Sequence, residues 1–223
     1  MSTALSVRGV SKVYDGRGSA VRALDSVDLD VESGAVTLLM GPSGSGKTTL
    51  ISIMGCILQA TSGSVQVQGT DVTGLSESEL PAVRLQHIGF VFQAFNLFRT
   101  LTAAENIELA LDLQGIRGRA ARERAAALLD EVGLGDKKRA YPDELSVGQK
   151  QRVAVARALA GDPEILLADE PTAALDSASG KTVMELLRRT AHERGRAVVV
   201  VTHDHRVTEY ADRTVRIEDG RVI

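Results

Sequence analysis

Val36-Thr-Leu-Leu-Met40-Gly41-Pro42-Ser43-Gly44-Ser45-Gly46-Lys47-Thr48-Thr49 is the stretch from which the fold can be read. It opens with a continuous run of apolar and β-branched residues, the mark of a strand buried on both faces. A glycine-rich turn follows and leads directly into a helical pattern over 47–54. Residues 41–48 match G-x-x-x-x-G-K-[ST], and the flanking strand and helix are the context that gives such a match meaning. The glycines let backbone N–H groups turn toward one point with no Cβ in the way. The helix start adds a partial positive charge there. The expected site is a cradle for nucleotide phosphates made by Gly41, Pro42, Ser43, Gly44, Ser45, Gly46, Lys47, Thr48 and Thr49. In it Lys47 reaches the β- and γ-phosphates and the Thr48 hydroxyl ligates Mg²⁺.

Downstream, Ile165-Leu-Leu-Ala-Asp169-Glu170 sets two carboxylates at the end of a second buried strand. Asp169 suits coordination of the Mg²⁺, and Glu170, one residue on, points elsewhere along the strand and can polarise an attacking water. A third buried run, 197–202, is followed by His203. Carboxyl ends of parallel strands face the ligand crevice, so His203 is expected to reach the γ-phosphate. Lys47, Glu170 and His203 are thus the candidate catalytic residues.

Runs at 5–10 and 27–31 read as an antiparallel edge region, and 88–92 as one more short strand. The segment 101–134 is mostly helical, notably 120–132, and a further helix covers 179–194. Strand–helix–strand alternation implies right-handed crossovers and a mostly parallel sheet covered on both faces. The expected fold class is α/β, a single domain over 1–223. Its core is 1–92 and 161–223, with a helical subdomain inserted at 93–160.

The chain has 223 residues, 43% hydrophobic and 25% charged, the composition of one globular α/β domain. A net charge of −3 gives no reason to expect a nucleic-acid partner, and the basic run 117–124 reads as the wet face of a helix. Cys56, the single cysteine, cannot form an internal disulfide and sits where a small buried apolar residue is expected, which fits a reduced compartment. No apolar run approaches the roughly 20 residues of a spanning helix, so any membrane role is expected to come through a partner.

Together these residues resemble the ATP-binding cassette family over essentially the whole chain. Leu145-Ser146-Val147-Gly148-Gln149 looks like the family signature LSGGQ and is followed by Lys150-Gln-Arg-Val-Ala-Val-Ala-Arg-Ala-Leu159. The resemblance implies an ATPase with Mg-ATP bound in a sandwich of two copies. The signature of each copy, through Ser146, Gly148 and Gln149, would close over the ATP on the partner's phosphate loop. Val147 departs from the pattern, which has Gly there; a β-branched residue restricts the backbone. By the same resemblance Tyr14 stacks on adenine, Gln93 senses Mg²⁺ and the membrane partner, and Ala174-Leu-Asp176 belongs to the loop crossing the dimer interface.

Gly89-Phe-Val-Phe-Gln-Ala-Phe-Asn-Leu-Phe98 and Leu101-Thr-Ala-Ala-Glu-Asn106 are similar to cassettes of the lipoprotein-release and macrolide-exporter group. Glu170-Pro-Thr-Ala-Ala-Leu-Asp-Ser177 and Val201-Thr-His-Asp204 are similar also to those of glycolipid and haem exporters. This implies an integral membrane permease partner, sometimes with a periplasmic adaptor, and a place on the cytoplasmic face of the inner membrane. Phe95, Leu97, Phe98 and Leu101 would line the groove for the permease's coupling helix, or else form core. Strands near 213–218 and 221–223 are expected to finish the fold, without the regulatory domain of many sugar-import cassettes. The rivals are a cell-division cassette regulating wall hydrolases without transport, a cassette working on DNA or ribosomes, and a P-loop kinase. The second lacks support because 98 residues separate Lys47 from Leu145 with no heptad run between them. The third leaves the LSVGQ segment and Gln93 unexplained.

Overall fold

The structure, a computed structural model, describes residues 2–15 and 20–223. Two sheets organise it. The first is antiparallel, in the order β2-β1-β4-β5, from β1 (Thr3–Asp15), β2 (Ala20–Glu32), β4 (Ser62–Val67) and β5 (Thr70–Asp71). The second runs β10-β9-β3-β8-β7-β6, from β3 (Val36–Met40), β6 (Ile88–Val91), β7 (Ile165–Asp169), β8 (Ala197–Thr202), β9 (Arg213–Glu218) and β10 (Arg221–Val222). Within it β9, β3, β8, β7 and β6 pair in parallel, and β10 closes the edge antiparallel to β9. The described residues include six α-helices: α1 (Lys47–Met54), α2 (Leu80–His87), α3 (Ala103–Leu113), α4 (Gly118–Glu131), α5 (Val147–Ala158) and α6 (Ser177–Arg194).

Strand alternation divides the interior into two layers. Val36, Leu38 and Met40 of β3, Leu166 and Ala168 of β7, and Val198 and Val200 of β8 pack with buried residues of α3, α4, α5 and α6. Leu39, Ile165, Leu167, Ala197, Val199 and Val201 point the other way, into a cluster with α1, β1, β2 and β4. β3, β7 and β8 are therefore buried on both faces and read as nearly continuous apolar runs, whereas β9, near the sheet edge, buries only Val215 and Ile217 and alternates with exposed polar residues. The phosphate-loop helix α1 lies on one face and the signature helix α5 on the other.

The expected elements recur with shifted ends. β1 and β2 are longer than the expected 5–10 and 27–31 because each alternates buried and exposed residues well past its apolar centre. The strand expected over 88–92 stops at Val91, after which Phe95 and Asn96 turn left-handed. The last helix starts at Ser177, two residues earlier than expected, because Asp176 caps it through the N–H groups of Ala178 and Ser179. Between α1 and β6 the structure adds β4, β5 and α2, short half-polar elements whose apolar period is too brief to read. Cys56 is buried, and burial pushes its thiol up to about 11, as an inert structural cysteine requires.

Candidate active site

The carboxyl ends of β3, β7 and β8 converge on one rim, and the phosphate loop sits there between β3 and α1. Two of its glycines have no alternative. A Cβ at Gly41 would lie 2.0 Å from the Ile217 carbonyl oxygen of β9. Gly46 has a φ of +99°, and its Cβ would lie 2.4 Å from the Ala23 carbonyl oxygen of β2. The loop is also held from the C-terminal hairpin, where the Gly220 N–H donates to the Ser45 carbonyl at 3.1 Å. Helix α1 has no capping side chain and no acid in its first turn, whereas α3, α5 and α6 each begin on a side-chain cap. Its first N–H groups and their partial positive charge are left for an anion. Lys47, only 7% exposed, donates from Nζ to the carbonyls of Gly41 (2.9 Å) and Pro42 (2.7 Å), which aims its ammonium along the loop.

Asp169 ends β7, and Glu170 is the first residue beyond it. Strand alternation does not turn Glu170 away, as the sequence suggested. It leaves the strand altogether, in a left-handed conformation with φ +47°, while its N–H still donates to the Val201 carbonyl at 2.9 Å. A left-handed glutamate is strained, and such strain gathers at functional sites. The turn brings Glu170 Oε1 within 2.7 Å of His203 Nδ1. A carboxylate only accepts, so Nδ1 carries the proton and the mostly exposed ring offers Nε2 to the rim. Burial pushes the Asp169 carboxyl above its ordinary range, and the neighbouring Glu170 charge adds to this. The Thr48 hydroxyl and Lys47 ammonium partly offset both. Asp169 Oδ1 and Glu170 Oε2 are buried acceptors with no hydrogen-bond partner. Paired, unsatisfied carboxylate oxygens beside a threonine hydroxyl suit a hard cation. Among the described residues no group of three or more His, Cys, Asp or Glu could hold a metal, so phosphate and water oxygens would have to supply the rest.

Tyr14 meets this rim from β1. Its hydroxyl is 3.4 Å from Thr49 Oγ1, Lys12 Nζ sits 5.3 Å from its ring centroid, and it is 42% exposed. Gln93 is exposed two residues beyond Val91, which pairs with Ala168 of β7. Ser146, Gly148 and Gln149 sit at the start of α5, whose core residues pack on the other face of the sheet from α1. Ser146 caps α5, its Oγ accepting from the Gln149 N–H, while Gln149 Oε1 accepts from the Ser146 N–H at 2.8 Å. Part of Gln149 is thus engaged in holding the helix tip. Gly148 is buried against α6, where an added Cβ would lie 2.7 Å from Ser179 Oγ. Val147 is 44% exposed and absent from the positive-φ residues, so the helix start accepts its branched side chain without strain.

Residues 24–173 match the family model described as ABC transporter. The chain belongs to the ABC transporter family. An uncharacterized ABC transporter ATP-binding protein of Thermotoga maritima is 44% identical over 222 residues, covering 100% of this chain and 94% of that one. The macrolide export ATP-binding/permease protein MacB 1/2 of Paracoccus denitrificans is 45% identical over 97% of this chain, which spans only 32% of its length. Among solved structures, the ATP-binding cassette MJ0796, a dimer in a post-hydrolysis state bound to ADP and Pi, is 42% identical. Its TM-score is 0.91, with 98% of this chain and 96% of that one covered. CbiO1 of Clostridium perfringens, part of the transporter complex cbiONQ, has a TM-score of 0.88 at 28% identity, with 100% of this chain and 88% of that one covered. The chain is thus an ATPase cassette of that family.

The cassette carries a second concave feature, a groove of about 990 Å³ between α2, α3, the end of α1 and the end of α5. Exposed Ile57, Leu85, Phe98, Leu109 and Leu113 line it. Of the four apolar residues expected there, only Phe98 is on its wall; Leu97 packs on the core of the helical layer. Phe95 and Leu101 do not line it. Asn106 holds the groove's rim and carries no signal in the sequence beyond an amide at a buried helical position. Fully buried, it donates to the carbonyls of Phe98, Leu101 and Thr102 and accepts from the Phe98 N–H. Ser179, against which Gly148 packs, was equally invisible in the sequence.

Proposed function

We propose that two copies of this cassette close around two Mg-ATP and use hydrolysis to drive a membrane permease. The work would be export, or force transmission to an amphiphilic substrate, from the cytoplasmic face. The carrying observation is the layering: α1, the helix that opens on the phosphate loop, and α5, the helix that Ser146 caps, pack on opposite faces of one sheet. A phosphate on the loop would therefore be completed by the tip of a second copy. The dimeric ADP- and Pi-bound cassette, 42% identical, supports this arrangement. The permease reading is supported by MacB relatives about three times as long, named ATP-binding/permease proteins, and by the apolar groove. No helix among the described residues is long and apolar enough to cross a membrane.

In this reading the loop N–H groups and Lys47 bind the β- and γ-phosphates, and Tyr14 stacks on the adenine. Thr48, Asp169 and Gln93 would hold the Mg²⁺, which neutralises charge building on the phosphates. Glu170, fixed by His203, orients a water in line with the γ-phosphorus. The water oxygen bonds to phosphorus, giving up a proton to the Glu170 carboxylate, as the bond to the bridging oxygen breaks, releasing ADP and phosphate. His203 Nε2 and the partner's Ser146 steady the charge on the γ-phosphoryl oxygens. Most of the acceleration is positioning and charge stabilisation. Glu170→Gln keeps the shape and removes the base. It is expected to bind ATP normally, to lose about 10²–10⁴ in turnover, and to accumulate as a dimer with ATP on size exclusion. Normal turnover, or a monomer at saturating ATP, would overturn the proposal.

A further inference from the structure

Arg157 sits in the last turn of the signature helix. Its guanidinium is largely withdrawn from water, and burial pulls its pKa below the ordinary value. Among the described residues no carboxylate pairs with it. Its partners are two backbone carbonyls: Nη2 donates to Phe95 at 2.7 Å, and Nη1 donates to Asn96. Leaving a cation without an acid is expensive, so the contacts it makes in exchange should matter. Both carbonyls belong to left-handed residues, with φ +60° at Phe95 and +50° at Asn96. Asparagine tolerates that region, but phenylalanine does so only under constraint. A planar fork presents its donors in a fixed geometry, so it holds two successive carbonyls with less freedom than a flexible ammonium.

The same turn is anchored a second time. A Cβ at Gly89 of β6 would lie 2.3 Å from the Ala158 carbonyl, so α5 ends in direct backbone contact with the strand that leads to Gln93. Helix α5 has 12 residues, about 18 Å at 1.5 Å per residue. One end carries Ser146; the other grips the loop that starts at Gln93.

We infer that Arg157 is a positioning residue that locks the Gln93 loop to the signature helix, so that β6, this loop and α5 move as one lever. The inference rests on the roles proposed above for Gln93 and Ser146. Movement of the Ser146 tip onto a partner's nucleotide then carries Gln93 with it, and displacement of the Gln93 loop is passed back to the tip.

The test uses the whole chain with Arg157→Met and Arg157→Lys, the latter keeping charge and stem so that it folds even where the former does not. Hydrogen exchange is followed without nucleotide, in EDTA. The amides of 94–98 are expected to exchange about tenfold faster in Arg157→Met, the worth of hydrogen bonds to a charged group. In Arg157→Lys the increase is smaller, and α1 and β3 are unchanged in both. A Mg²⁺ titration of ATP hydrolysis is then compared with Gln93→Ala. Arg157→Met should raise the half-saturating Mg²⁺ several-fold, in the same direction as Gln93→Ala, and the double variant should show no further rise. Unchanged exchange at 94–98, or a uniform rise along the chain, overturns the inference. If Gln93→Ala alone leaves the Mg²⁺ dependence untouched, the metal role of Gln93 falls, and exchange alone decides the lock.

Discussion

Replacing Gly148 by alanine separates the packing role of the signature from its role toward nucleotide. The new Cβ would lie 2.7 Å from Ser179 Oγ and 2.8 Å from Ser179 Cβ. Carbon atoms in ordinary contact sit about 3.5–4.0 Å apart. Rotating Ser179 would relieve the first clash while breaking its 2.7 Å bond to Asp176 Oδ2 in the cap of α6. No rotamer relieves the second, because Cβ is fixed by the backbone. Helices α5 and α6 must therefore part by about 0.7 Å or more. Overpacking of this kind costs about 1–3 kcal/mol, against a gain below about 1 kcal/mol from replacing glycine in a helix. The expected net loss is about 1–2 kcal/mol, which for a domain of this size lowers the melting temperature by about 2–8 °C. Thermal unfolding followed by circular dichroism reads it directly. Adding Ser179→Gly removes the obstructing Cβ and should recover about 1 kcal/mol or more in a double-mutant cycle, whereas Ser179→Ala, which keeps that Cβ, should not. ATP hydrolysis measured on the rescued pair asks a different question: if the space at Gly148 is also needed by a phosphate, turnover stays low after stability returns. A higher melting temperature for Gly148→Ala, or equal rescue by Ser179→Ala and Ser179→Gly, would refute the contact as the reason for this glycine.

Other outcomes follow from single interactions. Asp169→Asn should make the nucleotide-free protein more heat-stable at pH 7 while abolishing hydrolysis. A carboxyl whose pKa rises on folding binds its proton more tightly when folded, so ionisation penalises folding as pH climbs from about 4 through the raised value. The substitution removes that penalty, which the unsubstituted protein escapes only in acid, where its carboxyl is protonated. Melting curves in EDTA should therefore show the gap closing toward pH 4, and a constant gap would count against burial as its cause. Thr102→Ala removes the side chain that caps α3 in a box with Glu105. It should cost about 1 kcal/mol in denaturant unfolding, with ATP affinity unchanged. Gly46→Ala pits a Cβ against the Ala23 carbonyl at 2.4 Å and demands a left-handed alanine. It should eliminate ATP binding in equilibrium dialysis, and retained affinity would mean the loop can be rebuilt.

The phosphate loop was legible because its chemistry is local. Gly41, Gly46, Lys47 and Thr48 must follow a buried strand and open a helix, and all of that is written within 36–54. The apolar runs of β3, β7 and β8 were legible for a related reason: a strand buried on both faces carries few polar residues to blur it. The short strands β4 and β5 and helix α2 were not, since a few half-exposed residues carry too little periodicity. What the sequence could not decide was direction and distance. It put Glu170 and His203 at strand ends, but only the left-handed turn at Glu170 and the alignment of β7 beside β8 set them 2.7 Å apart across 33 positions of chain. It offered Gly148 as a glycine of the signature, and tertiary packing against Ser179 supplied the steric reason. It offered Arg157 as one more arginine of a familiar helix, and only the fold showed which carbonyls the guanidinium holds. Local backbone geometry is encoded where it is used. Pairings between distant segments exist only after two layers of side chains have closed on one sheet.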